Sequence, residues 1–114
     1  MERLKNGIAI ITGAGQGIGK ALALGLAREG AKIVIADINE ENAASVRREV
    51  QAFGETALAI RTDISNEGSV EIMVDSCLRE FGRIDILINN AGIFPISSVQ
   101  EMPERIGIVS SEPI

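Results

Sequence analysis

The sequence predicts an α/β domain in three layers, with a parallel sheet of about four strands covered by helices on both faces. Three observations predict it. Short apolar runs alternate with longer stretches of helical period, a glycine-rich turn joins the first run to the first helical stretch, and each helical stretch is closed by a glycine, at Gly30, Gly54 and Gly82. With 114 residues, 46% hydrophobic and 24% charged, the chain has the size and balance of one folded domain, residues 1–114.

The elements follow in order. Gly7 to Ile11 is a run of small and branched residues before a glycine turn, the outline of a buried parallel strand. Ile18, Leu22, Gly25 and Leu26 then recur at helical spacing as far as Gly30. Lys32 to Asp37 is the second strand. Asn39 caps the next helix, with Glu40 and Glu41 in its first turn, where the positive end of the dipole favours acids, and Arg47 and Arg48 further on. Val46, Val50 and Phe53 are expected to form its buried stripe. Thr56 to Thr62 reads as the third strand. Ser65 is expected to cap the third helix, whose Val70, Met73, Val74, Cys77, Leu78 and Phe81 keep helical period. Ile84 to Asn89 is the fourth strand. Right-handed crossovers then give the order 3-2-1-4, with the first two helices on one face and the third on the other. After Gly92 the pattern degrades: Pro95 and Pro103 bracket a polar stretch, and Ile106 to Val109 reads either as a short fifth strand or as part of a tail.

Composition narrows the chemistry. Sixteen acidic against eleven basic residues give a charge of −5 without a basic patch, which argues against nucleic acid and anionic membrane as partners. A single cysteine, Cys77, makes no internal disulfide, and polar Glu2, Arg3 and Lys5 stand where a signal stretch would begin, so the expected location is cytoplasmic. No His, Tyr or Trp occurs. General acid or base chemistry through an imidazole or phenol is excluded from these residues. Cys77, on the apolar stripe and without a His to activate it, reads as an inert thiol. No metal ligand set is expected.

The richest segment is Thr12-Gly13-Ala14-Gly15-Gln16-Gly17-Ile18-Gly19, between the first strand and the first helix. Glycines there allow a sharp turn and close approach to a pyrophosphate, while the N–H groups that open the helix point at negative charge. A dinucleotide site of this kind also needs an acid at the end of the second strand to accept from the adenosine ribose, and Asp37 occupies that position. Its charge would repel the extra phosphate of NADP, and neither Gln16 nor Ile38 supplies a cation; NAD is the expected cofactor and NADP the less favoured one. Plainer readings exist: the glycines as an ordinary turn, Asp37 as a cap for the helix that follows.

Thr-Gly-x-x-x-Gly-x-Gly at Thr12 to Gly19, together with Asn89-Asn90-Ala91-Gly92 after the fourth strand, resembles the short-chain dehydrogenase/reductase family, in particular its 3-oxoacyl-thioester reductases and sugar dehydrogenases. The likeness runs from about residue 4 to residue 96, leaving 97–114 as a divergent tail. It implies a Rossmann-type sheet, truncated here, and a nucleotide site made by Gly13, Gly15, Gln16, Gly17, Ile18, Gly19, Asp37, Ile38, Asp63, Ile64, Asn90, Ala91 and Gly92. In such a site Asp63 accepts from the adenine amino group, the Ile64 backbone meets the ring, and Asn90, Ala91 and Gly92 run beside a cofactor ribose. Asp63 also reads as part of the third helix cap, and Asn89 to Gly92 as a simple turn.

Members of that family move hydride between nicotinamide and a carbonyl or alcohol with a Ser, a Tyr and a Lys. Here no Tyr occurs and the last Lys is Lys32, so no catalytic residue is assigned. Ile108-Val109-Ser110-Ser111 is similar to the family strand that ends in Ser-Ser, which would mean that the helix before it has been lost. The expectation is therefore the NAD-binding portion of a dehydrogenase, not catalytic alone, from a parent acting on a 3-oxoacyl thioester, a sugar or a small alcohol. The alternative is a non-catalytic nucleotide-binding or subunit-pairing protein. Either would leave a sheet edge and a face open to self-association.

Overall fold

A computed structural model describes residues 5–90 and, for backbone only, 107–110. Among the described residues, five strands and three helices run in the order β1 (Ile8–Thr12), α1 (Gly17–Arg28), β2 (Lys32–Asp37), α2 (Glu40–Ala52), β3 (Ala57–Arg61), α3 (Glu67–Phe81), β4 (Ile86–Asn89) and β5 (Gly107–Ser110). The strands form one sheet in the order β3-β2-β1-β4-β5, every pair parallel. The expected order 3-2-1-4 is present, and a fifth strand extends it. Asn89 pairs with Ser110, so β4 is an inner strand rather than an edge.

Alternation along the strands divides the core in two. Ala9, Ile11, Ile33 and Ile35 point at Ala23 and Ala27 of α1 and at Ala43, Val46 and Val50 of α2. Ile8, Ile10, Val34, Ala36 and Leu87 point the other way, at Val70, Met73 and Cys77 of α3. Two helices on one face and one on the other is the arrangement that the crossover rule requires. Half-buried apolar side chains are present on both faces, Leu58 and Ile60 on the α3 side and Ile86 and Ile88 on the α1–α2 side. No helix of the described residues is long and apolar enough to cross a membrane.

Three local expectations are corrected. In α1 the buried stripe is Gly19, Ala23 and Ala27, while Ile18 is 73% exposed and Leu22 37%. The face that meets the sheet is made of the smallest residues, so helix and sheet approach closely and the larger side chains turn outward. Phe53 is not in the stripe of α2: it is the residue after the helix, 45% exposed, with the Arg28 guanidinium 5.1 Å from its ring centroid. The cap of α3 is Asn66, whose side chain accepts from the Ser69 N–H at 2.9 Å, and Ser65 is instead drawn to Asp63. Asn39 caps α2 as expected, accepting from the Asn42 N–H at 2.9 Å.

Candidate functional site

Parallel strands bring the helix N-termini and the carboxyl ends of the strands to the same side of the sheet. The order turns at β1, whose neighbours are β2 and β4, and a crevice opens outside the strand ends there. The cleft has a volume of about 490 Å³. Gly13, Gln16 and Gly17 of the first loop form one wall. Asp37 and Ile38, from the end of β2, form the next. Thr62, Asp63 and Ile64 close the far end, and Asn90 comes from the end of β4.

The loop from Thr12 to Gly17 is shaped by its glycines. Gly13 and Gly17 have φ of 64° and 61°, a left-handed conformation that costs residues with a Cβ. Gly19 is needed for space: a Cβ there would lie 2.1 Å from the Gly13 carbonyl oxygen. The first turn of α1 therefore packs directly beneath the loop. Its cap, Gln16, makes no side-chain hydrogen bond to the helix, whereas α2 and α3 each have an Asn that does. Helix α1 thus presents its opening N–H groups and the positive end of its dipole at the cleft without a side chain to neutralise them.

At the other wall Asp37 is already organised. One carboxylate oxygen accepts from the Gly15 N–H at 2.9 Å, and the other accepts from the Asn39 N–H at 2.8 Å. An ionised carboxylate has room for about four donors, so each oxygen retains accepting capacity. Arg61 is paired with Asp37 in the register of β3 on β2, but it does not line the cleft.

Asp63 is tied to its own loop. One of its oxygens accepts from the Ser65 hydroxyl at 2.6 Å and from the Ser65 N–H at 3.0 Å. These two bonds, the hydroxyl first, hold its carboxyl below the ordinary range against an opposing effect of burial, and the charge of Arg61 adds the smallest contribution, also downward. Its plainer role, shaping the turn before α3, is therefore present together with a place in the cleft. At the junction of the strands Asn90 donates its side-chain N–H to the Gly13 carbonyl at 3.4 Å and its backbone N–H to the Thr12 hydroxyl at 3.1 Å. The end of β4 and the glycine loop are therefore one unit.

Of the residues expected from the sequence, eight come together in the cleft: Gly13, Gln16, Gly17, Asp37, Ile38, Asp63, Ile64 and Asn90. Gly15 and Gly19 are buried behind it, Ile18 lies on the exposed side of α1, and Ala91 and Gly92 lie outside the described residues. Thr62 was not foreseen. It is buried, its N–H donates to the Asp37 carbonyl at 2.9 Å and its hydroxyl to the Ile60 carbonyl at 3.2 Å. A threonine just after an alternating strand of Ala, Leu, Ala, Ile and Arg gives no local sign of lining a site. Among the described residues no group of three His, Cys, Asp or Glu could hold a metal ion.

Known proteins share this arrangement. The short chain dehydrogenase family model matches residues 7–108. A 7alpha-hydroxysteroid dehydrogenase of Escherichia coli K12 is 46% identical over 90 residues, 79% of this chain and 35% of that protein. An L-rhamnose 1-dehydrogenase (NAD(P)(+)) of Azotobacter vinelandii is 42% identical over 101 residues, 85% of this chain and 40% of that one. Among solved structures, the 3-ketoacyl-(acyl-carrier-protein) reductase from Brucella melitensis complexed with NADH is similar with a TM-score of 0.73 and 46% identity, over 79% of this chain and 36% of its own. The chain spans well under half the length of these relatives.

Proposed function

The chain belongs to the short chain dehydrogenase family, and on that premise we propose that its cleft holds NAD and that the chain is the nucleotide-binding portion of an oxidoreductase acting on a carbonyl or an alcohol. One observation carries the reading. A helix opening without a side-chain cap and a carboxylate with spare accepting capacity face the same cleft, with glycine backbone between them.

In this proposal the amides that open α1, at Gly17, Ile18 and Gly19, meet the pyrophosphate together with the backbone of Gly13 and Gln16, with Gly15 behind them. Asp37 accepts from the ribose hydroxyls, and Ile38 covers the adenine side. Asp63 and the Ile64 backbone receive the adenine edge, and Asn90, Ala91 and Gly92 run beside the second ribose. NAD, when bound, supplies the hydride acceptor. The residues of this chain bind and orient it.

NADP is disfavoured by charge. A phosphate on the ribose would stand next to the Asp37 carboxylate, and two like charges about 4 Å apart cost on the order of 4 kcal/mol in a partly screened site. Support for the nicotinamide class comes from relatives: an NADH complex among the solved structures and a dehydrogenase named for both NAD and NADP. Hydroxysteroid, sugar and ketoacyl substrates are named for those relatives, and a parent of this chain would act on a carbonyl or alcohol of that kind. The 114 residues contain no Tyr, so they bind nucleotide without reducing a carbonyl. The cytoplasm, where NAD is abundant, is the proposed location, and self-association through the sheet edge and the half-buried apolar side chains on its faces is proposed as a property of the isolated chain.

Titration calorimetry of the 114-residue chain with NAD and NADP tests the reading. NAD binds, NADP binds more weakly, and Asp37→Ala loses about 1.5–3 kcal/mol for NAD, the worth of hydrogen bonds to a charged group. Tighter binding of NADP than of NAD by the unmodified chain would refute the cofactor assignment.

A further inference from the structure

We propose that Gly15 is a positioning residue that sets nucleotide selectivity by holding the Asp37 carboxylate, and that it does not touch the nucleotide itself. The proposal rests on the reading of the cleft as a NAD site. Gly15 is buried and does not line the cleft. Its φ is not in the left-handed region, unlike those of Gly13 and Gly17, so backbone conformation does not explain why a glycine stands there.

Space does. A Cβ on Gly15 would lie 2.6 Å from the Asn42 Cβ and 2.8 Å from the nearer Asp37 carboxylate oxygen. The Asn42 atom is the first of its side chain, fixed by α2, and has no freedom to turn away. Asn42 is itself anchored, because its N–H holds the Asn39 side chain that caps α2. The Gly15 N–H therefore reaches Asp37 at 2.9 Å only because the residue lacks a side chain.

Two backbone donors on two different oxygens fix the plane of the carboxylate: Gly15 holds one and Asn39 the other. A carboxylate held by one donor can rotate about its Cβ–Cγ bond. Held by two, it must break a charge-assisted hydrogen bond to turn. The consequence is selectivity. Asp37 stays aimed at a ribose diol and cannot swing aside to admit a ribose phosphate, so the repulsion that rejects NADP is preorganised and cannot be relieved by side-chain motion. Opening space at residue 15 is not enough to mimic this; the amide and the missing Cβ act together.

The test is Gly15→Ala in the full 114-residue chain, with affinities for NAD and NADP measured by calorimetry and folding checked by circular dichroism. The expected result is a folded variant whose preference for NAD over NADP drops about tenfold, as the carboxylate loses one charged hydrogen bond and its fixed plane. A merely structural role would weaken both nucleotides equally. In parallel, amide exchange is followed by NMR without any nucleotide. The Gly15 N–H is protected in the unmodified chain and exchanges about tenfold faster in Asp37→Ser. NAD binding with the preference unchanged in Gly15→Ala overturns this proposal alone, whereas failure of the unmodified chain to bind NAD overturns it together with the cofactor reading. Should Gly15→Ala not fold, an unprotected Gly15 amide in the unmodified chain is decisive against it.

Discussion

The Thr12 hydroxyl donates to the Asn89 side-chain oxygen at 3.0 Å, joining β1 to β4 at the point where the sheet opens. The same hydroxyl accepts from the Asn90 N–H at 3.1 Å. Thr12 and Asn89 are both buried, so this bridge is made where water cannot replace it. It sets the height of Asn90, and through the Asn90 side chain that of the glycine loop.

Removing the hydroxyl should therefore cost stability at a distance of 77 residues along the chain. Thr12→Val keeps shape and deletes the bridge, and should lose about 1–3 kcal/mol, since buried polar groups lose a partner. Thr12→Ser keeps the hydroxyl, deletes one methyl, and should lose about 0.5–1.5 kcal/mol. Urea unfolding of the two variants measures the difference. A stable Thr12→Val chain beside a destabilised Thr12→Ser chain would mean that the methyl, not the bridge, matters.

Two glycines of α1 separate space from helix propensity. Gly25→Ala meets no atom within 4 Å, and should stabilise the chain by about 0.5–1 kcal/mol through helix propensity alone. Gly19→Ala gains the same propensity but drives a Cβ to 2.1 Å from the Gly13 carbonyl oxygen and 2.8 Å from the Asn90 side-chain nitrogen. Overpacking of this kind costs about 1–3 kcal/mol or more, and it displaces the loop. Thermal unfolding should rise for Gly25→Ala and fall for Gly19→Ala. A Gly19→Ala chain as stable as the parent would show that the helix and loop are not in contact as described.

Much of this was legible in the sequence for physical reasons that vary by element. Lys32 to Asp37 is read to the residue, because Gly30 closes one helix and Asn39 opens the next, leaving no slack. The stripe of α1 is misread because hydrophobicity ranks Leu22 and Ile18 above Ala23 and Gly19, whereas the sheet selects for smallness. Choosing between Ser65 and Asn66 as a cap depends on which one Asp63 claims, and that is a matter of loop geometry. The cleft's acid at Asp37 follows from its position after β2. Its bond to Gly15, 22 residues earlier, needs β1 and β2 side by side before it can be seen.

Ser65 should control the acidity of Asp63. The hydroxyl of Ser65 is the largest cause of the depressed carboxyl, followed by its N–H and then Arg61. A depressed carboxyl favours the folded state above its unfolded titration range, and that contribution is lost as the pH falls through the depressed value. In Ser65→Ala the Asp63 carboxyl should titrate at higher pH than in the parent by NMR, because only the N–H and Arg61 remain. An unmoved titration would show that the hydroxyl does not hold it. Asn66→Ala, by contrast, should leave Asp63 titrating as in the parent and cost about 1 kcal/mol, the worth of a helix cap.

Cys77 gives the chain an alkaline sensitivity. Its side chain is fully buried on α3, and its Sγ lies 3.7 Å from the Arg83 carbonyl oxygen, to which it donates. Burial first, and then the charge of Asp85, push the thiol up to about 12 from an ordinary 9.0. The folded chain thus keeps its proton where the unfolded chain releases it. The thiol's contribution to stability is therefore complete below about pH 9 and is lost as the pH rises towards about 12. Cys77→Ala has no such proton to hold. Its stability relative to the parent should be constant from pH 7 to 8, and the parent's lead should narrow above pH 9, as read from urea midpoints. At pH 8 the native thiol should also resist alkylation until the chain unfolds, since the thiolate is the nucleophile. Rapid alkylation of the native chain, or a lead that does not change with pH, would place Cys77 outside the apolar layer between α3 and the sheet.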